Sequence, residues 1–288
     1  MKKAKTIALS AGMLFGLSIP ITKIFLNNGI NPLYLGAFTY LGAGIGLTIY
    51  NFFVTGTMKF KNALTKEDLP YTIIMILSDI LAILFLMTGL KLTNSANASL
   101  LSNFEIVATA IFAFLFFKEN ISKKLMLGIL MIVLASIILT YEGMESFKFQ
   151  IGSIMVLIAY CLWGLENNCT RMLSNKNVFE ITIIKGLFAG FGSLIIAMVS
   201  NAQPPKINTI LYVMLTGFLC YGFSVNMYIK AQKYLKATLT ASYYAFSPYF
   251  GILFSLFILK EHPSINFYIA LTIMIISLFI LHSVQNEN

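Results

Sequence analysis

The chain has 288 residues, 58% of them hydrophobic and only 11% charged, and a mean hydropathy of +0.82. That is more apolar surface than a soluble domain can bury, so the chain is read as a membrane protein. Its net charge of +9 follows a membrane topology, set out below, and a nucleic-acid partner is excluded because the charges are not gathered on one water-exposed face.

Ten apolar runs of about 20 residues recur along the sequence, at 5–26, 32–54, 69–90, 96–117, 122–141, 151–172, 179–199, 208–229, 238–259 and 265–283. At roughly 1.5 Å per residue each is long enough to cross a hydrocarbon core of roughly 30 Å as a helix. Lys2, Lys3 and Lys5 precede the first run as they would in a signal peptide. No small-x-small cleavage site follows, and the run continues through Pro20 to Leu26, so a retained first helix is expected.

Ionisable residues stranded in these runs are the candidates for chemistry, because each is costly in hydrocarbon unless paired or wetted. Asp79 stands at the centre of the third run, with Ser78 or Ser102 as expected hydrogen-bond partners. Glu105 stands at the centre of the fourth, in a polar set with Ser102 and Asn103. The sixth run carries Trp163, Glu166, Asn167, Asn168, Thr170 and Arg171. On a helix that spacing makes a polar stripe, with the Trp163 ring one turn from Asn167. Lys185, in the seventh run, shares a depth with Glu166. The two form an ion pair that either fixes helix packing or touches substrate. Lys23 and Arg171 lie near helix ends and can snorkel to the interface. Tyr243, Tyr244, Ser242 and Ser247 of the ninth run face them as weaker candidates.

Pro20 and Pro248 each remove a backbone hydrogen bond and bend their helices. Gly42, Gly44 and Gly46 of the second run, and Gly186, Gly190 and Gly192 of the seventh, mark close helix approaches. Cys161, Cys169 and Cys220 all fall inside apolar runs without CxxC spacing and read as buried small hydrophobes. No metal or cofactor is expected.

The chain is internally duplicated. Residues 88–119 lie over residues 230–261 at a constant offset of 142 without a gap, Phe112 meeting Phe254 and Lys118-Glu119 meeting Lys260-Glu261. A second echo pairs FGLSIPITKIF from Phe15 with WGLENNCTRML from Trp163, each with a basic residue seven places after its Gly. Five runs per half is an odd number, so the second half enters the membrane upside down. With the N-terminus inside, fourteen basic residues fall in cytoplasmic segments (Lys2, Lys3, Lys5, Lys59, Lys61, Lys66, Lys118, Lys123, Lys124, Arg171, Lys176, Lys230, Lys233, Lys236), against Lys91, Lys148, Lys206 and Lys260 outside. That bias places both termini in the cytoplasm.

Ten helices in an inverted five-plus-five duplication, with a Lys-Glu pair closing the fourth helix of each half and an aromatic-Gly near each half's start, resemble the EamA branch of the drug/metabolite transporter superfamily. The stretches SLLSNFEIVATAIFAFLFFKE from Ser99, WGLENNCTR from Trp163 and IKG from Ile184 also resemble segments recurring in a bacterial group of that branch. The resemblance covers essentially the whole chain. It implies a secondary carrier in a bacterial plasma membrane, with a central cavity between the first four helices of each half. Residues 1–143 and 144–288 are then the two five-helix repeats.

Enzymes are excluded by the missing HExxH and GxSxG motifs and by His262 and His282 lying at helix ends. ATP-driven pumps are excluded by the missing GxxxxGK[ST], and channels by the lack of repeated polar rings. The expected function is alternating-access transport of a small metabolite, with efflux of an amino acid or related compound as first choice and uptake of a vitamin such as riboflavin as alternative. The expected partners are that small-molecule substrate, the lipid bilayer and protons. The expected site is Glu105, Asn103, Glu166, Asn167, Lys185, Asp79 and Trp163.

Overall fold

The computed structural model describes residues 2–118, 121–141, 150–232, 234–235, 240 and 243–285. Expectations resting on Glu119, Lys148, Lys233, Lys236, Ser242 and the 143/144 boundary lie outside the described residues, as do those on the side chains of Lys2 and His282.

Regular structure among the described residues is helical. The elements run α1 (Lys2–Gly16), α2 (Ser18–Asn27), α3 (Pro32–Thr55), α4 (Leu69–Leu92), α5 (Ser95–Leu101), α6 (Phe104–Phe117), α7 (Lys123–Thr140), α8 (Ile151–Met172), α9 (Val178–Val199), α10 (Ile207–Thr216), α11 (Ser224–Gln232), α12 (Ser247–Ile258) and α13 (Ile265–Gln285). Seven stretches are long and apolar enough to cross a membrane: Lys3–Asn27, Pro32–Thr55, Lys66–Leu92, Ser95–Phe117, Lys123–Thr140, Val178–Val199 and Ile207–Ala231. The other three expected runs appear as α8, α12 and α13. Among these, α8 carries a polar stripe, α12 is apolar but shorter, and α13 counts as apolar over Ile265–Leu281. The outward faces remain apolar, with Phe53, Phe257 and Val199 more than three-quarters exposed, as lipid contact requires.

Local sequence sets where helices begin and break. Asn31 accepts from Leu33 N ahead of Pro32, Ser122 from Leu125 N, and Asn177 from Phe179 N and Glu180 N, so each supplies the acceptor that a helix's first N–H groups lack. Pro20 clashes with the carbonyl four residues back, and the first span breaks there, between Gly16 and Ser18. Pro248 occupies the first turn of α12, the position at which proline is best tolerated. It therefore starts a helix rather than bending one. The fourth span breaks at Ser102–Asn103, and the eighth contains a π-helical segment, Gly217–Phe223, that nothing in the sequence announced.

The helices pack α3 along α9, α4 along α8 and α7 along α13, with α8 also against α6 and α1 against α11 and α12. Glycines stand at the closest approaches. A Cβ on Gly44 would lie 2.6 Å from Leu187 N, and one on Gly186 would lie 2.6 Å from Gly44 N, so α3 and α9 meet backbone to backbone. The two glycines of the aromatic-Gly echo have matching roles. A Cβ on Gly16 would come 3.0 Å from Gly251 N on α12, and one on Gly164 would come 2.8 Å from Thr109 N on α6.

Candidate functional site

The close α3–α9 and α4–α8 seams bring Tyr40, Asp79, Trp163, Glu166 and Lys185 into one buried cluster. Asp79 Oδ1 accepts from the Tyr40 hydroxyl at 2.8 Å and from the Trp163 indole N–H at 3.0 Å. The indole N–H also reaches the Tyr40 oxygen at 3.2 Å. Lys185 Nζ lies 3.5 Å from Asp79 Oδ2 and 3.0 Å from Glu166 Oε1. Thr170, one turn beyond Glu166, donates to the same Oε1. Asp79 and Glu166 are fully or nearly fully buried, whereas the Lys185 side chain keeps a quarter of its exposure. One cation thus serves two carboxylates from three helices.

A second polar seam follows from Gly164. Because α6 approaches α8 at that glycine, Asn167 Nδ2 donates to Glu105 Oε1 at 2.6 Å and to Thr109 Oγ1 at 3.3 Å. Asn168 Nδ2 donates to the carbonyls of Thr109 at 3.1 Å and Gly164 at 2.8 Å. Glu105 therefore has an amide for a partner and, among the described residues, no cation within salt-bridge distance. A half-buried carboxylate so placed in a membrane span is costly unless water, a proton or a cation reaches it.

The expected Glu166–Lys185 pair is present, though not isolated, since Asp79 completes it. Asp79 is satisfied by Tyr40, Trp163 and Lys185 instead of Ser78 or Ser102. The expected set of Ser102, Asn103 and Glu105 is dispersed by the break between α5 and α6. Ser102 donates to Ser99 O at 2.7 Å, and Asn103 turns to Leu100 O at 2.9 Å and to Met274 Sδ at 3.7 Å on α13. Residues at i, i+1 and i+3 do not share one face of a helix. Lys23 reaches the end of a neighbouring span. Its ammonium donates to Leu90 O at 2.7 Å and Thr93 O at 2.6 Å, closing the C-terminal end of α4. Arg171 stands over the Phe117 ring at 5.5 Å. Sequence reasoning missed Tyr40 and Thr109, and nothing marked Tyr40 among 14 tyrosines. Among the described residues, no group of His, Cys, Asp and Glu is arranged to hold a metal ion.

Next to the cluster is a small, partly open cavity of about 20 Å³ lined by Trp163, Tyr160, Tyr221, Ser99, Ser102 and Ser247, among others. That is room for about one water molecule. Elements from both ends of the sequence close it, and Trp163 joins it to the charged cluster.

Apolar spanning helices around a buried, charge-bearing centre define a multi-pass membrane transporter. A family model described as the EamA-like transporter family matches residues 2–141 and again 150–283, and the chain belongs to that family, within the drug/metabolite transporter superfamily. A relative described as an uncharacterized transporter, from Methanothermobacter thermautotrophicus (strain Delta H), is 28% identical over 295 residues, covering 95% of this chain and 84% of its own. A protein solved by crystallography superposes with a TM-score of 0.69 at 16% identity, over 99% of this chain and 97% of that one. That likeness concerns the fold alone.

Proposed function

We propose that the chain is a secondary carrier that exports a small amine-bearing metabolite, an amino acid or close relative, by alternating access across a bacterial plasma membrane. The observation that carries this reading is the charge imbalance between the helices, where among the described residues Lys185 is the one cation beside Asp79 and Glu166, and Glu105 is bonded to the Asn167 amide. A substrate ammonium or a proton balances the surplus, and Glu105, whose hydrogen bond among the described residues comes from the Asn167 amide, is the residue that takes it up. Lys185 holds the other two carboxylates in place and meets a substrate carboxylate when the site opens.

Ten spans in two inverted five-helix halves, with both termini cytoplasmic, supply the moving parts. The helix contacts support this, because exchanging the first five spans for the last five returns the main long contacts. The α3–α9, α7–α13 and α5–α12 contacts map onto themselves, α4–α8 maps onto α1–α11, and α6–α8 maps onto α1–α12. Backbone details pair in the same way: Lys118 and Lys260, after the fourth and ninth spans, both adopt left-handed φ (54° and 51°), as do Asn62 and Asn201 after the second and seventh (55° and 54°). In this reading the halves rock about the occluded centre and open it to one side at a time.

The test is flux in liposomes containing the purified protein, screened against labelled amino acids and riboflavin. Saturable amino-acid flux is expected. Saturable riboflavin uptake without amino-acid flux would overturn the export reading.

A further inference from the structure

Hydroxyls on membrane-embedded helices commonly turn back onto their own backbone, and this chain follows that habit. Ser136 and Ser255 donate to the carbonyls four residues earlier at 2.8 and 2.7 Å, and Ser224 does the same to Cys220. Ser99, on α5, is as deeply buried as these and has no hydrogen-bond partner among the described residues. Its side chain lines the central cavity. Across from it on α12 is Gly251, where a Cβ would come 2.7 Å from the Ser99 oxygen. The glycine thus leaves the hydroxyl uncovered. A buried donor left unpaired is costly, and a native structure that keeps one at a cavity has a use for it.

The surrounding walls are flat and fixed. Trp163 and Tyr160 are in ring contact, with centroids 5.2 Å apart. The indole cannot turn freely, because its N–H is committed to Asp79 and Tyr40. With that donor used, Trp163 offers the cavity ring surface alone. Tyr221 enters from the π-helical segment.

The geometry points to a ring-binding subsite that forms when the carrier opens this cavity beyond its present one-water size, in which the Ser99 hydroxyl bonds a polar atom on the edge of a planar ring held against Trp163 and Tyr160. The substrate class is then an amine-bearing metabolite whose other end is a flat ring with a hydrogen-bonding edge. This rests on the carrier reading above and adds the specificity-determining residue.

Trp163 is the single tryptophan of the chain, so its emission, excited beyond tyrosine absorption, reports occupancy of the cavity directly. Purified protein in lipid nanodiscs is titrated with tyramine, phenethylamine and isopentylamine, three amines that differ in ring and edge hydroxyl. Tyramine should change the emission saturably, and phenethylamine should do so with roughly 3- to 10-fold weaker affinity, the worth of one net hydrogen bond. Isopentylamine should leave the emission unchanged. Ser99→Ala should erase the difference between the two ring amines, while Ser193→Ala, which removes another buried unpartnered hydroxyl outside the cavity lining, should preserve it. The subsite is overturned if isopentylamine perturbs Trp163 as strongly as the ring amines, or if Ser99→Ala keeps the preference. It is also overturned if no amine alters the emission while the same protein exchanges amino acids in liposomes, an outcome that leaves the carrier reading standing. Absence of exchange as well would remove both.

Discussion

Lys185 is the residue on which the buried electrostatics depend, since it lies 3.0 Å from Glu166 and 3.5 Å from Asp79. Removing it leaves two carboxylates without their cation. Lys185→Met should therefore lower stability by about 3–5 kcal/mol, the usual cost of breaking a buried pair, read by thermal unfolding in detergent. Adding Glu166→Gln should restore only part of the loss, because Asp79 stays charged with Tyr40 and Trp163 as its remaining donors. Full recovery in the double variant would show that Asp79 and Lys185 do not interact. The four ionisable members of the site were legible in the sequence because a charge in an apolar run stands out. Tyr40 and Ser99 were not, since a tyrosine or serine in such a run is ordinary until its partner, or lack of one, is known.

At the scale of elements, small residues set where helices touch, and the functional side chains follow. Gly164 is the clearest case: a Cβ there would come 2.8 Å from the backbone of Ala108 and Thr109, neither of which can move aside alone. Gly164→Ala should push α6 off α8 and cost about 1–3 kcal/mol, with loss of the Asn167–Glu105 and Asn168–Thr109 bonds. Gly36→Ala is the comparison, since its Cβ would meet only flexible side-chain atoms of Ile83 and Met87, at 3.1 Å and beyond. Equal stability of the two variants would contradict this. The aromatic-Gly echo was legible as a repeat, but its purpose, a cross-bundle approach at Gly16 and Gly164, required the structure. Pro20 correctly marked a break. The π-helical segment left no trace, because its cause is packing: Gly217 and Gly222 press against the backbone of α3 near Thr39 and Ala43.

For the whole molecule, the distribution of basic residues makes a claim that chemical labelling can check. Asn201 and Asn62 are both exposed in left-handed turns, so a cysteine at either is accessible from its own side. Asn201→Cys should react with an impermeant thiol reagent in intact cells and Asn62→Cys should not; the reverse would invert the orientation. That the chain is built of apolar, membrane-spanning helices was legible because hydropathy is a one-dimensional signal. The cavity was not, since residues beside helix breaks in different spans line it together. In the proposed carrier the solute passes through the centre of the bundle, and Glu105 is the carboxylate that couples or recognises it. The most direct measurement is counterflow, in which liposomes containing the protein and loaded with unlabelled amino acid take up the labelled form. Wild-type protein should show a saturable overshoot. Glu105→Gln, which keeps shape while deleting charge, should abolish net flux, and should spare the overshoot only if the carboxylate couples transport to protons without touching the amine. Wild-type net flux and overshoot in Glu105→Gln at every external pH from about 5 to 8 would contradict the claim.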